Sequence, residues 1–344
     1  MLAAKLISKG RFAIQAEGHM PILSPGEVLL KVAYVGICGS DLHYFRQGAI
    51  GNQVIEYPFI IGHEAVVVVE TTGNEVAGLK RGDKVVLNPA ISCGRCDQCR
   101  AGRPHTCRRL KFLGCPGQLE GCLQEYITMP APNCFPVAEE LVPLGVLVEP
   151  LAIALYAVQL AGPTKEKSLA VLGCGSIGLS LIYYSSLQKP RMIVATDKVE
   201  NRLRAAHRLG AAWVGNPESQ DVVHELIQLE PEQFDYAFDC CGDQEALNQA
   251  LSILKPGGKL IIVGIPKKDR IFFDPHLLRR KEISIINVRR QNNFFSPAIE
   301  FLQLHKETLS SLITHEFSLK EVQAAFELCS RYGDGVIKAV IAIR

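Results

Sequence analysis

Four cysteines crowd one short segment, Cys93-x2-Cys96-x2-Cys99-x7-Cys107. A loop with that spacing can wrap one ion in four thiolates, the tetrahedral shell that zinc accepts. Gly94, Arg95 and Gly102 let the chain turn, while Asn88–Pro89 and Pro104 stiffen its ends. A closed thiolate shell leaves no place for water, so the zinc would be structural. An iron–sulfur cluster is the rival, since close cysteines also hold clusters. Unliganded thiols would expose reactive groups for no gain. The chain has 12 cysteines in all. Cys115, Cys134 and Cys329 read as small buried hydrophobes.

A second constellation is Gly173-Cys174-Gly175-Ser176-Ile177-Gly178, a G-x-G-x-x-G run. It follows the strand-like Ser168–Leu172 and opens a helix-like segment, the context a dinucleotide site needs. Gly173 makes the tight turn, Gly175 lets backbone approach a pyrophosphate, and Gly178 lets helix and strand pack. Ile177 stands between them. Asp197 ends the next strand about 20 residues on, where an acid binds the ribose 2′-hydroxyl. A 2′-phosphate meets repulsion there, which favours NAD over NADP; Lys198 and Arg202 close by soften that preference. Arg202, with Val263, Ile265 and Asn287 near the ends of later strands, completes the candidate cofactor set.

The elements that must position these groups follow from pattern. Residues 27–37, 65–69 and 84–87 read as strands, rich in β-branched residues. Residues 151–162 are long and apolar enough for a buried helix ending at Gly162–Pro163. From Ser168 strands and helices alternate: strands at 168–172, 191–196, 234–239, 258–264 and 282–288, helices at 177–188, 200–210 and 244–254. That alternation indicates a doubly wound parallel sheet. The tail from Ser296 holds two helical stretches and a last strand, 338–343.

Composition limits the alternatives. The 344 residues are 48% hydrophobic and 21% charged, which excludes a disordered or collagen-like chain. The length suggests two domains. Lys plus Arg is 37 against 35 Asp plus Glu, a net charge of +2, so no broad positive field favours nucleic acid. No apolar run approaches the roughly 20 residues of a membrane span, and the first residues lack a signal-peptide pattern. The expectation is a cytoplasmic protein with mostly reduced cysteines and no nucleic-acid or membrane partner.

Cys38, His63 and Glu149 lie far apart in sequence, and chemistry alone leaves them open as packing residues or as a site. Taken together, Cys38-Gly39-Ser40-Asp41, Gly62-His63-Glu64, the four-cysteine loop and the later glycine fingerprint resemble the zinc-dependent medium-chain alcohol dehydrogenase family. The order and spacing match over nearly the whole chain. Within it, Cys-Gly-Ser-Asp-Leu-His-Tyr-Phe (38–45) and Glu149-Pro150 are similar to the sorbitol/polyol and L-threonine dehydrogenase branch. The resemblance implies a GroES-like β-rich catalytic domain, 1–150 with 290–344, and a Rossmann domain, 151–289. It implies a catalytic zinc on Cys38, His63 and Glu64, with Glu149 as an exchangeable ligand or an acid orienting the zinc water, and hence two zinc ions per chain. It also implies a homodimer or homotetramer. Val67 departs from a glycine common in the family, which touches strand packing and leaves the ligands alone. Cys122 stands in a segment that usually reads differently, as packing or as a soft spot for oxidation.

Ser40 and His43 form the expected proton relay, against the plainer readings of a turn hydroxyl and a surface residue. Tyr44 and Phe45 should wall the substrate pocket. Arg289-Arg290 stands where sorbitol-type enzymes resemble Arg-Tyr. Arg290 suits a carboxylate or phosphate, or else a subunit contact or the cofactor phosphates. A polyol comes first; a sugar acid such as idonate or gluconate, a polyol phosphate, or L-threonine follows. A zinc-ribbon binding protein is the non-enzyme reading, and the balanced charge opposes it.

Overall fold

A computed structural model describes residues 1–16 and 18–343. It divides into two compact units, Met1–Glu149 with Phe295–Arg344, and Pro150–Phe294.

The first unit is β-rich. Its main strand, Glu27–Gly36, buries Val28, Leu30, Val32 and Val35. It pairs antiparallel with Glu64–Thr72, and Gly36 lies opposite Glu64. On its other side it pairs with Lys338–Ala342, with Val340 opposite Gly36. The full sheet has seven strands, with Lys84–Leu87 and Cys134–Pro136 beyond Glu64–Thr72, Ile313–Ser318 beyond Lys338–Ala342, and Tyr126–Pro130 paired with the first half of Glu27–Gly36. This register carries three distant stretches of sequence to one level. Cys38 lies two residues past Gly36, His63 one residue before Glu64, and Lys338 two before Val340.

A helix, Gly39–Gln47, follows Cys38 directly. No apolar periodicity announces it. It is fixed instead by a reciprocal cap between Cys38 and Asp41, and by Phe45, which packs 5.6 Å from Phe12 and 5.4 Å from Phe326. Phe45 is therefore core rather than pocket wall.

The second unit is a six-stranded parallel sheet ordered Trp213–Gly215, Met192–Thr196, Ser168–Leu172, Phe234–Asp239, Leu254–Ile262, Ser284–Asn287. The strand order reverses between Ser168–Leu172 and Phe234–Asp239, the switch point where such sheets bind ligands. Two helices escaped the sequence pattern, Val222–Leu229 and Pro275–Lys281. Each opens on an aspartate whose carboxylate caps backbone N–H groups, Asp221 and Asp274.

The second junction falls at 294/295 rather than 289/290. Gln291 accepts the Phe294 N–H at 2.7 Å, and Phe294 packs 5.8 Å from Tyr156, which holds 290–294 in the second unit. Phe295 packs 5.2 Å from Phe135 in the first. The stretch Leu144–Ala161 also corrects an expectation: by length and composition it could cross a membrane, but 78% of it is buried in the protein.

At the N-terminal end of the parallel sheet, Asp235 accepts from the Ser168 N–H at 2.9 Å and pairs with Lys167 and Lys255. Burial works to raise its pKa, but Lys255, the Ser168 amide and Lys167 outweigh it and hold it below the ordinary carboxylate value. A depressed carboxyl stabilises the fold above its unfolded pKa of about 3.9 and loses that effect as pH falls through the lower folded value. Asp235→Asn should therefore lower the melting temperature at neutral pH, with the gap to wild type closing in acid. A gap that stays constant from neutral pH to about pH 3 would show that the charge contributes nothing.

Candidate functional site

Cys38 Sγ, a ring nitrogen of His63 and a carboxylate oxygen of Glu64 lie within 4.8 Å of one another. His63 and Glu64 are buried, Cys38 half-buried. A thiolate, an imidazole and a carboxylate converging in this way suit a zinc ion with an open position. One observation tests the fit: Glu64 Oε1 is buried and has no hydrogen-bond partner. Burying such an oxygen unsatisfied is costly, and an ion at the centre of the triad would satisfy it.

Asp41 organises this centre, and the sequence reading gave it no role. Its carboxylate accepts the Cys38 N–H at 3.1 Å and the Gly62 N–H at 3.3 Å, and lies 3.4 Å from His63 Nδ1. A carboxylate behind a ligating histidine fixes its tautomer and orientation. Burial works to lower the His63 pKa, but the charges of Asp41 and Cys38 carry it well above the ordinary imidazole value. The one early signal was position: Asp41 stands three residues after Cys38, as a capping partner does.

Lys338 was also missed. It is 2% exposed, pairs with Glu64 Oε2 and donates to the Ile37 carbonyl at 3.1 Å. Burial works to lower its pKa, but Glu64, then Cys38 and Glu149, carry it above the usual lysine value. Its signal was a lone cation heading a strand in which every residue is buried.

Glu149 is buried in the first turn of Val148–Ala161 and acts on Lys338 through its charge, but it lies outside the group of three. Ser40 and His43 are half-buried and three apart on one helix, hence on one face. Tyr44 is buried, and its hydroxyl lies 3.3 Å from Gln53 Oε1 and 3.8 Å from Cys115 Sγ. Gln53 lines a cavity of about 580 Å³ with Asn52, Glu56, Phe59, Pro116 and Gln118. Tyr44 stands behind Gln53 rather than forming the wall itself. Cys122 is fully buried, and burial raises its pKa well above the usual thiol value, so it is a packing residue.

The thiols of Cys93, Cys96, Cys99 and Cys107 also lie within 4.8 Å of one another. Cys96 Sγ is 3.5 Å from Cys99 Sγ and 3.8 Å from Cys107 Sγ. Zinc–sulfur bonds of about 2.3 Å in a tetrahedron place sulfurs about 3.8 Å apart. The cage therefore fits a single ion and is too tight for a multi-iron cluster. Backbone N–H groups point at the sulfurs: Cys93 and Arg109 donate to Cys107 at 3.2 and 3.4 Å. The Arg95 amide is the main cause that lowers the Cys93 thiol to about 6.

In the second unit the glycine run lies at the C-terminal end of Ser168–Leu172. Gly173 has φ +101° and donates to the Thr196 carbonyl at 2.8 Å. A Cβ on Gly178 would lie 2.0 Å from the Gly173 carbonyl oxygen, so helix and loop touch. A Cβ on Gly175 would meet nothing within 4 Å, leaving the space a pyrophosphate needs. Asp197 holds the loop: one oxygen accepts the Cys174 N–H at 2.7 Å, the other the Val199 N–H at 2.8 Å. Lys198 is turned to Glu218 at 2.8 Å, and the Arg202 charge acts on Cys174 beside the loop. Ile177 is half-buried, Val263 and Ile265 follow Leu254–Ile262, and Asn287 ends the edge strand. All sit along the C-terminal edge of the sheet. Arg289 is exposed, Arg290 half-buried with φ +54°, and both belong to the second unit.

Comparison with known proteins agrees with this geometry. The alcohol dehydrogenase GroES-like domain matches residues 24–139, and the zinc-binding dehydrogenase domain matches 176–304. The chain belongs to the zinc-dependent alcohol dehydrogenase family. Members of this family are oxidoreductases that act on CH–OH groups, and this chain is such an enzyme. It is similar to a sorbitol dehydrogenase of Bacillus subtilis, 33% identical over 94% of this chain and 92% of that one. It is similar to an L-idonate 5-dehydrogenase of Vitis vinifera, 33% identical over 92% and 88%. A zinc-binding dehydrogenase of Sinorhizobium meliloti solved with NADP superimposes with TM-score 0.87 at 28% identity, covering 99% and 98%. The chain thus falls among the zinc-type polyol and sugar-acid dehydrogenases, with a GroES-like domain and a Rossmann domain. Family membership sets the zinc-ribbon binding reading aside.

Proposed function

We propose that the chain oxidises a secondary alcohol of a polyol, sorbitol- or iditol-like, to a ketose with NAD. The Cys38–His63–Glu64 triad, with Cys38 capping the helix that carries Ser40 and His43, is the observation that carries this reading. These residues would hold zinc, with Glu149 as exchangeable ligand or nearby acid, and a bound zinc supplies the Lewis acidity that makes a substrate hydroxyl acidic. Asp41 keeps His63 oriented. Ser40 Oγ takes up the hydroxyl proton as its own O–H proton passes to the His43 imidazole, which hands a proton on to solvent. The amide- and carboxylate-lined cavity beside Tyr44 suits the remaining hydroxyls. The Cys93–Cys107 loop would hold the second, structural zinc.

Gly173, Gly175, Ile177, Gly178, Asp197, Arg202, Val263, Ile265 and Asn287 would bind the cofactor, whose nicotinamide accepts the hydride. Asp197 keeps lone pairs for ribose hydroxyls beyond the two amides it serves. Hydrogen bonds to a charged group are worth about 1.5–3 kcal/mol, so Asp197→Ala, which loosens the loop for either cofactor, should in addition raise the KM for NAD relative to that for NADP by about tenfold or more. Unchanged cofactor preference would remove this role.

A sugar acid or polyol phosphate is the second reading, favoured by the paired guanidiniums of Arg289 and Arg290. The deciding experiment follows NADH formation against polyols, sugar acids, polyol phosphates and L-threonine, with zinc measured on the same sample. Turnover of neutral polyols with about two zinc ions per chain supports the first reading. Turnover of anionic substrates alone promotes the second, and a metal-free active protein overturns both. The open edge strand Ser284–Asn287 supports a homodimer or homotetramer, and the reliance on reduced thiols supports a cytoplasmic setting.

A further inference from the structure

We infer that Lys338 is a positioning residue for the metal centre, holding Glu64 by one oxygen and limiting how strongly that carboxylate binds the ion. The inference rests on the triad being the metal site.

Three observations carry it. The two oxygens of Glu64 are differently employed: Oε2 pairs with Lys338 Nζ, while Oε1 is buried without a partner. The strands are built to allow this pairing. A Cβ on Gly36 would collide with Glu64 Oε2, so the glycine leaves that oxygen its room. Finally, Lys338 is tied to the ligand strand as well as to the ligand, since its ammonium donates to the carbonyl of Ile37, next to Cys38.

Stability alone explains this pair poorly. Both groups are almost completely buried, at 2% and 1% exposure. Desolvating two charges costs about as much as their attraction returns, and apolar pairs often do as well. Charge at the metal site explains it better. A thiolate and a carboxylate would neutralise a divalent ion. Lys338 leaves the centre one unit more positive, and it competes with the ion for the same carboxylate. Both effects weaken metal retention and strengthen the attraction for an oxygen ligand in the open position.

The test uses the full chain with Lys338→Met, Lys338→Arg and Gly36→Ala. The first removes the cation, the second keeps it, and the third pushes Glu64 off it without touching the lysine. Zinc loss to a chelator is followed over time, and cobalt is titrated into the metal-stripped protein to read the visible band of the ion. Lys338→Met and Gly36→Ala should release the ion about tenfold more slowly and shift the cobalt band. Lys338→Arg should stay near wild type in both. Release at the wild-type rate or faster, with an unchanged band, in whichever of Lys338→Met and Gly36→Ala folds, would reduce Lys338 to a strand staple. If Cys38→Ser holds as much metal as wild type, the metal reading itself falls and takes the inference with it.

Discussion

Cys38→Ser is expected to abolish turnover while leaving NAD binding intact. A thiolate is a strong zinc ligand, whereas a serine hydroxyl stays protonated near neutrality and binds zinc poorly. Losing it leaves His63 and Glu64 to hold an ion between them, and metal content should fall from about two to about one per chain. The turnover number should drop by about a thousandfold or more, the scale of an effect that supplies several kcal/mol of charge stabilisation. The fold should survive. Cys38 is the N-cap of Gly39–Gln47, and serine is among the preferred N-cap residues. Cofactor binding, followed for NAD by isothermal titration and for NADH by its dihydronicotinamide fluorescence, should be unchanged, because the glycine loop belongs to the other unit. Normal activity in this variant would end the catalytic-metal assignment.

Gly178→Ala should cost about a hundredfold in NAD affinity, roughly 2.7 kcal/mol. The added Cβ would sit 2.0 Å from the Gly173 carbonyl oxygen, a backbone atom with no freedom to swing aside. Gly173 cannot retreat easily either, since a tight turn at φ +101° holds it beside Cys240 and Cys241. The helix start must therefore back away from the loop that would cradle the pyrophosphate. Gly175→Ala makes the contrast. Its Cβ meets no protein atom within 4 Å, so the melting temperature should hold while NAD affinity still falls. Isothermal titration and thermal unfolding of both variants separate the two. Normal NAD binding by Gly175→Ala would show that the space above Gly175 is not where the cofactor lies.

The features legible in the sequence were the local ones. The cysteine loop and the glycine run lie within 15 and six residues, so spacing alone carries their geometry. The parallel sheet was legible because its central strands, Ser168–Leu172 and Phe234–Asp239, are buried on both faces and its strands alternate with helices. The triad was not legible from chemistry alone. Its members meet through the ladder that sets Gly36 against Glu64, and only family resemblance joined them beforehand. The helix Gly39–Gln47 carries glycine, serine and aspartate in its first turn, which hides any apolar period. Lys338 was hidden by a general expectation: a lysine beside apolar residues usually buries its stem and leaves its charge in water. Here the charge is buried too, because Glu64 meets it.

The strand Lys338–Ala342 lies between Glu27–Gly36 and Ile313–Ser318. The first unit is thus stitched from two separate stretches of sequence, while Pro150–Phe294 is one continuous stretch. During synthesis the nucleotide-binding unit can condense as soon as its own residues emerge. The first unit, by contrast, must wait for residue 338. A chain stopped short of it carries every candidate ligating side chain but leaves Glu27–Gly36 unpaired on one side and Glu64 without its lysine, so the two units can mature at different times.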